Sequence, residues 1–237
     1  MLIFGHRGAR GLAPENTMTA FQIALQLGVD GIELDVHMTK DGKIVVCHDH
    51  YLERTSNGKG WIPEHTRDEL QDLDFGSWFG PEFAGEKIPS LREVLQWAAA
   101  TKLIVNVEIK NGPIIYEGIE EKVAALIREC RMTERVIVSS FYHPSLLRMK
   151  QLDPMIKTGL LYASRPLDPW LQLRVTDTDN IHPQWHYLDS GWALGTRPHA
   201  AKIHAWTINE MREWEHISHL GVDGIMTDFP DRFVGKI

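Results

Sequence analysis

Only two cysteines, Cys47 and Cys130, occur in 237 residues. Two thiols cannot build a disulfide framework, and neither stands in the paired spacing of a metal site, which fits a reducing cytoplasm. No apolar run reaches the ~18 residues that a transmembrane helix needs, so stable membrane association is not expected. Positive charge is also short: 25 Lys and Arg face 32 Asp and Glu, a formal charge of −7. Nucleic-acid backbones demand a basic footprint, and this balance argues against such a partner. The opening residues, from Met1 to Arg7, lack the basic head, apolar stretch and small-residue cleavage site of a secretory leader and read as part of the fold. Wholesale disorder is excluded as well, because 43% of residues are hydrophobic and only 24% charged. The length suits one barrel-sized domain or two smaller ones.

Against these absences, helix starts are written plainly. Ser90-Leu91-Arg92-Glu93, preceded by Pro89, is a capping box opening a helix with Val94, Leu95 and Trp97. Thr66-Arg67-Asp68-Glu69 is a second box, ahead of Leu70 and Leu73. From Ile119, the residues Val123, Leu126, Ile127 and Cys130 fall at helical spacing. Asn209 is placed to cap a further helix carrying Met211, Trp214, Ile217 and Leu220. Between the helices lie extended segments predicted at 2–5, 31–36, 104–109, 136–140, 158–162, 180–184, 202–207 and 224–227. Such alternation argues for parallel strands, and eight of them for an α/β (β/α)8 TIM barrel, with an open doubly wound sheet as the alternative.

An internal echo supports equivalent junctions. Leu27-Gly28-Val29-Asp30-Gly31-Ile32 returns as Leu220-Gly221-Val222-Asp223-Gly224-Ile225, each copy ending a helix at Leu-Gly and starting a strand. A ninth extended stretch, 44–48, follows Thr39-Lys40-Asp41-Gly42, and Asp-Gly there predicts an antiparallel hairpin rather than a barrel strand. The stretch from about 49 to 89, with Trp61, Phe75, Trp78, Phe79 and Phe83, is too long for a plain connection and too aromatic for a linker. It is expected to be an insertion in the single domain 1–237, packed near one barrel end as a lid.

Barrel enzymes carry their chemistry at the C-terminal ends of the strands. His6 and Arg7 end the first, Glu33 and Asp35 share one face of the second, and His48 ends the hairpin. Glu108 and Lys110 end the third, Trp206 lies near the end of the seventh, and Asp228 ends the eighth. Glu33, Asp35 and Glu108 would repel one another unless a cation holds them, and a hard divalent ion suits oxygen ligands. The plainer alternative is neutralisation by Arg7 and Lys110 as salt bridges. His6 and His48 form a candidate acid–base pair, while the histidines at 37, 50, 65, 182, 186, 199, 204, 216 and 219 carry no such sign. Arg7 suits an anionic oxygen or a salt bridge to Glu33 or Glu15. Trp206 could stack on a ligand, with core packing as the alternative. A cation, a basic anchor and two histidines suggest displacement at phosphorus.

These segments resemble the glycerophosphodiester phosphodiesterase family in its compact bacterial form. The match runs through His6-Arg7-Gly8, Pro14-Glu15-Asn16-Thr17, Glu33-Leu34-Asp35-Val36, Thr39-Lys40-Asp41-Gly42, His48-Asp49 and the run from Arg54 to Gly60. It continues through Pro89-Ser90-Leu91, Glu108-Ile109-Lys110, Ser139-Ser140-Phe141, Trp206-Thr207-Ile208-Asn209 and Thr227-Asp228, spanning nearly the whole chain in order. The resemblance implies a (β/α)8 barrel with a small insertion after the second strand, and hydrolysis of glycerophosphodiesters to glycerol 3-phosphate and an alcohol. It implies His6 and His48 as acid–base pair, and Glu33, Asp35 and Glu108 as ligands of one Mg²⁺ or Ca²⁺. It further implies Arg7 and Lys110 at the phosphate, Phe141 and Trp206 on the glycerol side, and Glu15 and Asn16 as supporting positions. His50 replaces a more usual acidic residue, Ile109 a more usual leucine, and the insertion from Phe75 to Lys87 departs from the pattern. A related lyase releasing a cyclic phosphate needs the same residues, and a non-catalytic binder of glycerol phosphates is the third reading.

Overall fold

The computed structural model describes residues 1–191 and 201–237. Eight parallel strands close into a barrel: β1 (Leu2–Gly5), β2 (Gly31–Met38), β4 (Ile104–Ile109), β5 (Val136–Ser140), β6 (Lys157–Tyr162), β7 (Asn180–Pro183), β8 (Lys202–Ala205) and β9 (Gly224–Thr227). Closure comes from β1, which pairs in parallel with both β2 and β9. The open-sheet alternative is thereby excluded. The hairpin strand β3 (Ile44–Val46) lies antiparallel on β2, with Val36 opposite Val46, and Gly42 takes the left-handed conformation (φ 71°) at the turn.

Helices with both ends among the described residues are α1 (Met18–Leu27), α2 (Arg67–Asp72), α3 (Leu91–Ala99), α4 (Ile119–Glu129), α5 (His143–Leu152), α6 (Pro169–Thr176) and α7 (Met211–Ile217). Thr66 and Ser90 close the expected capping boxes with Glu69 and Glu93. Asn209 is a correction. The first turn of α7 is capped from Glu210, boxed with Glu213, while the Asn209 side chain turns to Asp228. A carboxylate close by in the barrel mouth draws the amide away from the helix start.

The echoed junctions are equivalent. Gly28 and Gly221 both adopt left-handed caps, at φ 86° and 75°. Asp30 and Asp223, two residues on, each accept a backbone N–H from the neighbouring strand, Ile3 at 2.8 Å and Ile203 at 3.0 Å. Asp179 does the same for Thr158 at 2.9 Å, so aspartates at the foot of β2, β7 and β9 pin adjacent strands in register.

Two apolar layers follow from strand alternation. Outward residues such as Ile3, Leu34, Val105 and Val138 meet helix residues Phe21, Leu95 and Val123. Inward residues Phe4, Ile137 and Met226 fill the barrel. Glycines make room for inward rings: a Cβ at Gly31 would stand 2.5 Å from the Phe4 ring, and one at Gly159 would stand 2.6 Å from the His182 ring.

The excursion between β3 and α3 has its own apolar cluster, in which Leu52, Ile62, Leu70, Phe75 and Ile88 pack on Val45 and Cys47. It therefore sits against the hairpin strand. Phe79 meets Trp78 and Phe83 edge-on.

Gly159→Ala should lower stability by about 1–3 kcal/mol through overpacking against His182. Urea denaturation checks this, and an unchanged midpoint would show that the His182 ring yields.

Candidate active site

The C-terminal strand ends converge on a cavity of about 260 Å³ whose wall contains His6, Arg7, Glu33, His48, Glu108, Lys110, Phe141 and Trp206. Among the described residues, no residue from 49 to 89 lines this cavity. Larger hollows of about 580 and 840 Å³ lie against α3 and α4 and at the opposite barrel mouth, away from the acidic cluster.

Strand register builds the acidic cluster. Glu33 and Asp35 point inward from β2, and Asp35 stands opposite Glu108 of β4. Ligand oxygens of Glu33, Asp35 and Glu108 lie within 4.8 Å of one another. Arg7 Nε is 3.5 Å from Asp35, and Lys110 Nζ is 2.7 Å from Glu108 and 3.3 Å from Asp35, so the salt bridges weighed from sequence also exist. They do not balance the cluster. Burial pushes all three carboxyls up, and only for Asp35 do Lys110, His48 and Arg7 outweigh it and hold the group well below the usual range. Glu33 is pushed well above that range by burial and by the charges of Asp35 and Glu108. Glu108 is also raised, burial outweighing Lys110. Carboxyls whose ionisation is opposed by burial and by one another's charge fit a site for a divalent cation with oxygen ligands, and these three residues could hold one.

Arg7 and Asn16 both adopt positive φ, 54° and 59°. The conformation costs an ordinary residue about 1–2 kcal/mol, and tertiary hydrogen bonds hold it here. The Arg7 N–H donates to Glu33 (2.9 Å) and its guanidinium to Glu15 (2.8 Å). Asn16 donates from its amide to Asp35 at 2.9 Å. Arg7 Nε is buried without a hydrogen-bond partner among the described residues, a donor left facing the cluster.

Each histidine stands on an aspartate. His6 Nδ1 is 2.6 Å from Asp228, and its Nε2 faces Glu33 at 3.9 Å. His48 Nδ1 is 2.6 Å from Asp49, which Arg54 grips through Nε at 2.6 Å and Nη2 at 3.0 Å. A carboxylate on Nδ1 fixes that nitrogen as the donor and leaves Nε2 for proton transfer. Burial lowers both imidazole pKa values, and the aspartates oppose it. Asn209 orients Asp228 in turn, donating to one oxygen (2.9 Å) and accepting its backbone N–H (2.9 Å).

Phe141 and Trp206 meet edge-on at 5.7 Å across the cavity, and the Trp206 indole N–H donates to the His182 carbonyl at 2.7 Å. All the residues singled out from sequence thus meet at one mouth, with Glu15 and Asn16 behind it. Sequence reasoning gives Asp49, Arg54 and Asp228 no role of their own and reads Asn209 only as a helix cap. Two signals mark the aspartates: Asp49 adjoins His48, and Asp228 occupies in the echo the place of Asp35. His199 lies outside the described residues.

Glu15 carries the cationic side of this mouth. Burial raises its pKa, but the hydrogen bonds from Arg54 and the charges of Arg7 and Arg10 win and bring it to about 2. A carboxyl depressed in the folded state stabilises above its unfolded value and loses that contribution as pH falls through the folded one. About 3 kcal/mol should therefore disappear between pH 4.5 and about 2. Denaturation across that window checks it, with Glu15→Gln expected to flatten the dependence and to be less stable at neutral pH.

Comparison with known proteins agrees with this geometry. A sequence model of the Glycerophosphoryl diester phosphodiesterase family matches residues 6–232. A glycerophosphodiester phosphodiesterase from Caldanaerobacter subterraneus is 41% identical over 236 residues, covering 100% of this chain and 97% of the relative. One from Bacillus altitudinis is 40% identical, covering 98% and 96%. Among solved structures, an Oleispira antarctica phosphodiesterase in complex with the product sn-glycerol-3-phosphate is 30% identical with a TM-score of 0.89, over 99% of this chain and 95% of that one. The glycerophosphodiester phosphodiesterase from Agrobacterium tumefaciens superposes with a TM-score of 0.87 at 31% identity, over 98% of each chain. With near-complete coverage in sequence and in structure, the chain belongs to the glycerophosphoryl diester phosphodiesterase family.

Proposed function

We propose that the chain hydrolyses glycerophosphodiesters to glycerol 3-phosphate and an alcohol, with Glu33, Asp35 and Glu108 holding one divalent ion, Mg²⁺ or Ca²⁺. The observation that carries this reading is the meeting, in one cavity, of two aspartate-anchored imidazoles with an under-neutralised three-carboxylate cluster. When bound, the ion supplies Lewis-acid polarisation of the phosphoryl oxygens. The remaining work belongs to the side chains. The free Nε–H of Arg7 and the ammonium of Lys110 bind the phosphodiester oxygens. Phe141 and Trp206 cover the carbon face of the glycerol. His6, whose Nε2 faces the carboxylate cluster, takes the proton of the attacking hydroxyl. His48, at the more open side, protonates the departing alcohol, and Asp228 and Asp49 stabilise the imidazolium forms. Glu15 and Asn16 hold Arg7 and Asp35 in place. The product named for the Oleispira relative supports glycerol 3-phosphate over a cyclic phosphate as end product.

The proposal takes 1–237 as one catalytic unit, with the excursion at about 49–89 bracing His48 from behind through Arg54. The substrate is a small molecule. Nucleic acid and membrane partners are not proposed, given the charge of −7 and the fact that no helix among the described residues is long and apolar enough to cross a membrane. A cytoplasmic setting is proposed on the two free thiols.

Glycerol 3-phosphate release from a panel of glycerophosphodiesters tests the reading, run with chelator, with Mg²⁺ and with Ca²⁺. Release should require a metal, and metal-independent turnover would remove the ion from the proposal. Phosphorus NMR should show glycerol 3-phosphate accumulating; persistent cyclic phosphate would make the enzyme a lyase. His6→Ala should keep the fold and lose about 10²–10⁴-fold in kcat. Asp228→Asn should also lower kcat while leaving KM close to its original value, because the amide no longer fixes the ring tautomer.

A further inference from the structure

His37 follows Glu33 and Asp35 on the inward face of β2, is fully buried, and touches neither the cavity nor the acidic cluster by any hydrogen bond. Its two ring nitrogens are nevertheless both engaged. Nε2 lies 3.0 Å from the backbone carbonyl oxygen of His48, and Nδ1 lies 2.9 Å from the Tyr116 hydroxyl. A carbonyl only accepts, so Nε2 carries the proton and donates. Nδ1 then offers a lone pair, and the Tyr116 hydroxyl donates to it. The ring is a neutral, fully satisfied connector between the segment carrying His48 and the segment after β4.

Aromatic contacts reinforce the connection. His50 meets His37 edge-on at 4.6 Å and stacks on Tyr116 at an interplanar angle of 17°. His50 Nε2 also lies 3.1 Å from the Gly112 carbonyl. Residues 48–50 are thus clamped to residues 112–116, which leave the mouth just after Glu108 and Lys110. An imidazole is an expensive space-filler in such a spot, since an apolar side chain would fill it without two hydrogen bonds to satisfy.

We propose that His37, held in one tautomer by Tyr116, is a positioning residue that fixes the backbone of His48 so that its imidazole reaches the departing alcohol. The inference rests on the assignment of His48 as proton donor. The Asp49 carboxylate sets how the His48 ring is turned; His37 sets where the ring stands. Misplacing a proton donor by an ångström leaves binding intact and slows the chemistry.

The test compares His37→Phe, His37→Gln and Tyr116→Phe on two substrates: glycerophosphocholine, whose alcohol must be protonated as it leaves, and a p-nitrophenyl ester of glycerol phosphate, whose phenolate leaves without a proton. His37→Phe should lower kcat on glycerophosphocholine by about 10- to 100-fold with KM within about twofold, and lower it far less on the p-nitrophenyl ester. His37→Gln, whose amide N–H can reach the His48 carbonyl, should recover most of the loss. Tyr116→Phe, which removes one hydroxyl, should show a smaller loss with the same substrate dependence, and it carries the test if His37→Phe does not fold. Equal losses on both esters, wild-type kcat in His37→Phe and Tyr116→Phe, or no rescue by glutamine would overturn the proposal. A His48→Ala variant that kept full activity on glycerophosphocholine would instead overturn the underlying assignment of the donor.

Discussion

Three carboxyl groups within 4.8 Å of one another in a buried barrel mouth impose the electrostatic condition that the surrounding structure answers. Register alone creates the problem, because the pairing of β2 with β4 sets Asp35 beside Glu108, and alternation along β2 adds Glu33. The answer comes in shells of opposite sign. Arg7 and Lys110 approach from the strand ends, and Glu15 then holds Arg7 and Arg54. Even so, Glu33 remains reluctant to ionise. A site built only for stability would pair its charges fully or replace them with apolar groups. One charge short of balance fits the divalent cation proposed for this cluster.

The two histidines share a construction despite their different places in the chain. Both rest on an aspartate at 2.6 Å, and in both cases a further side chain holds the aspartate: Asn209 for Asp228, Arg54 for Asp49. The neighbours differ in grip: Asn209 hydrogen-bonds one oxygen of Asp228 while Arg10 lies 3.7 Å from the other, whereas Arg54 bonds both oxygens of Asp49. Each imidazole thus keeps its Nδ1 fixed and its Nε2 available.

Most of the fold was legible because its determinants are local. The barrel strands are short β-branched runs, four of them at the predicted bounds, and the Ser90 and Thr66 boxes and the Gly28 and Gly221 caps depend on nearby residues only. The carboxylates and histidines of the mouth were legible for a related reason: charges inside buried strands demand partners. What could not be read was whatever depends on tertiary neighbours. Asn209 carries an N-cap signature, yet its amide serves Asp228 from 19 positions away. The excursion has the aromatic content of a lid, but its Leu52, Ile62 and Leu70 find the flank of β3 before any residue of it reaches the cavity. His37 looks like one histidine among twelve until its two nitrogens are seen to bridge segments 79 and 11 positions away.

The bond between His6 and Asp228 joins residues 222 positions apart, near the two ends of the chain. The same stretch of sequence, β9, also closes the barrel against β1. The carboxylates proposed for the metal, both imidazoles and the two neighbouring cations all lie between residues 6 and 110, whereas the strand that closes the barrel and the aspartate that orients His6 lie more than 110 residues further on. Closure of the barrel and orientation of the His6 ring are therefore one structural event. A barrel whose last strand is unpaired has no Asp228 beside His6, and so no fixed tautomer on that ring.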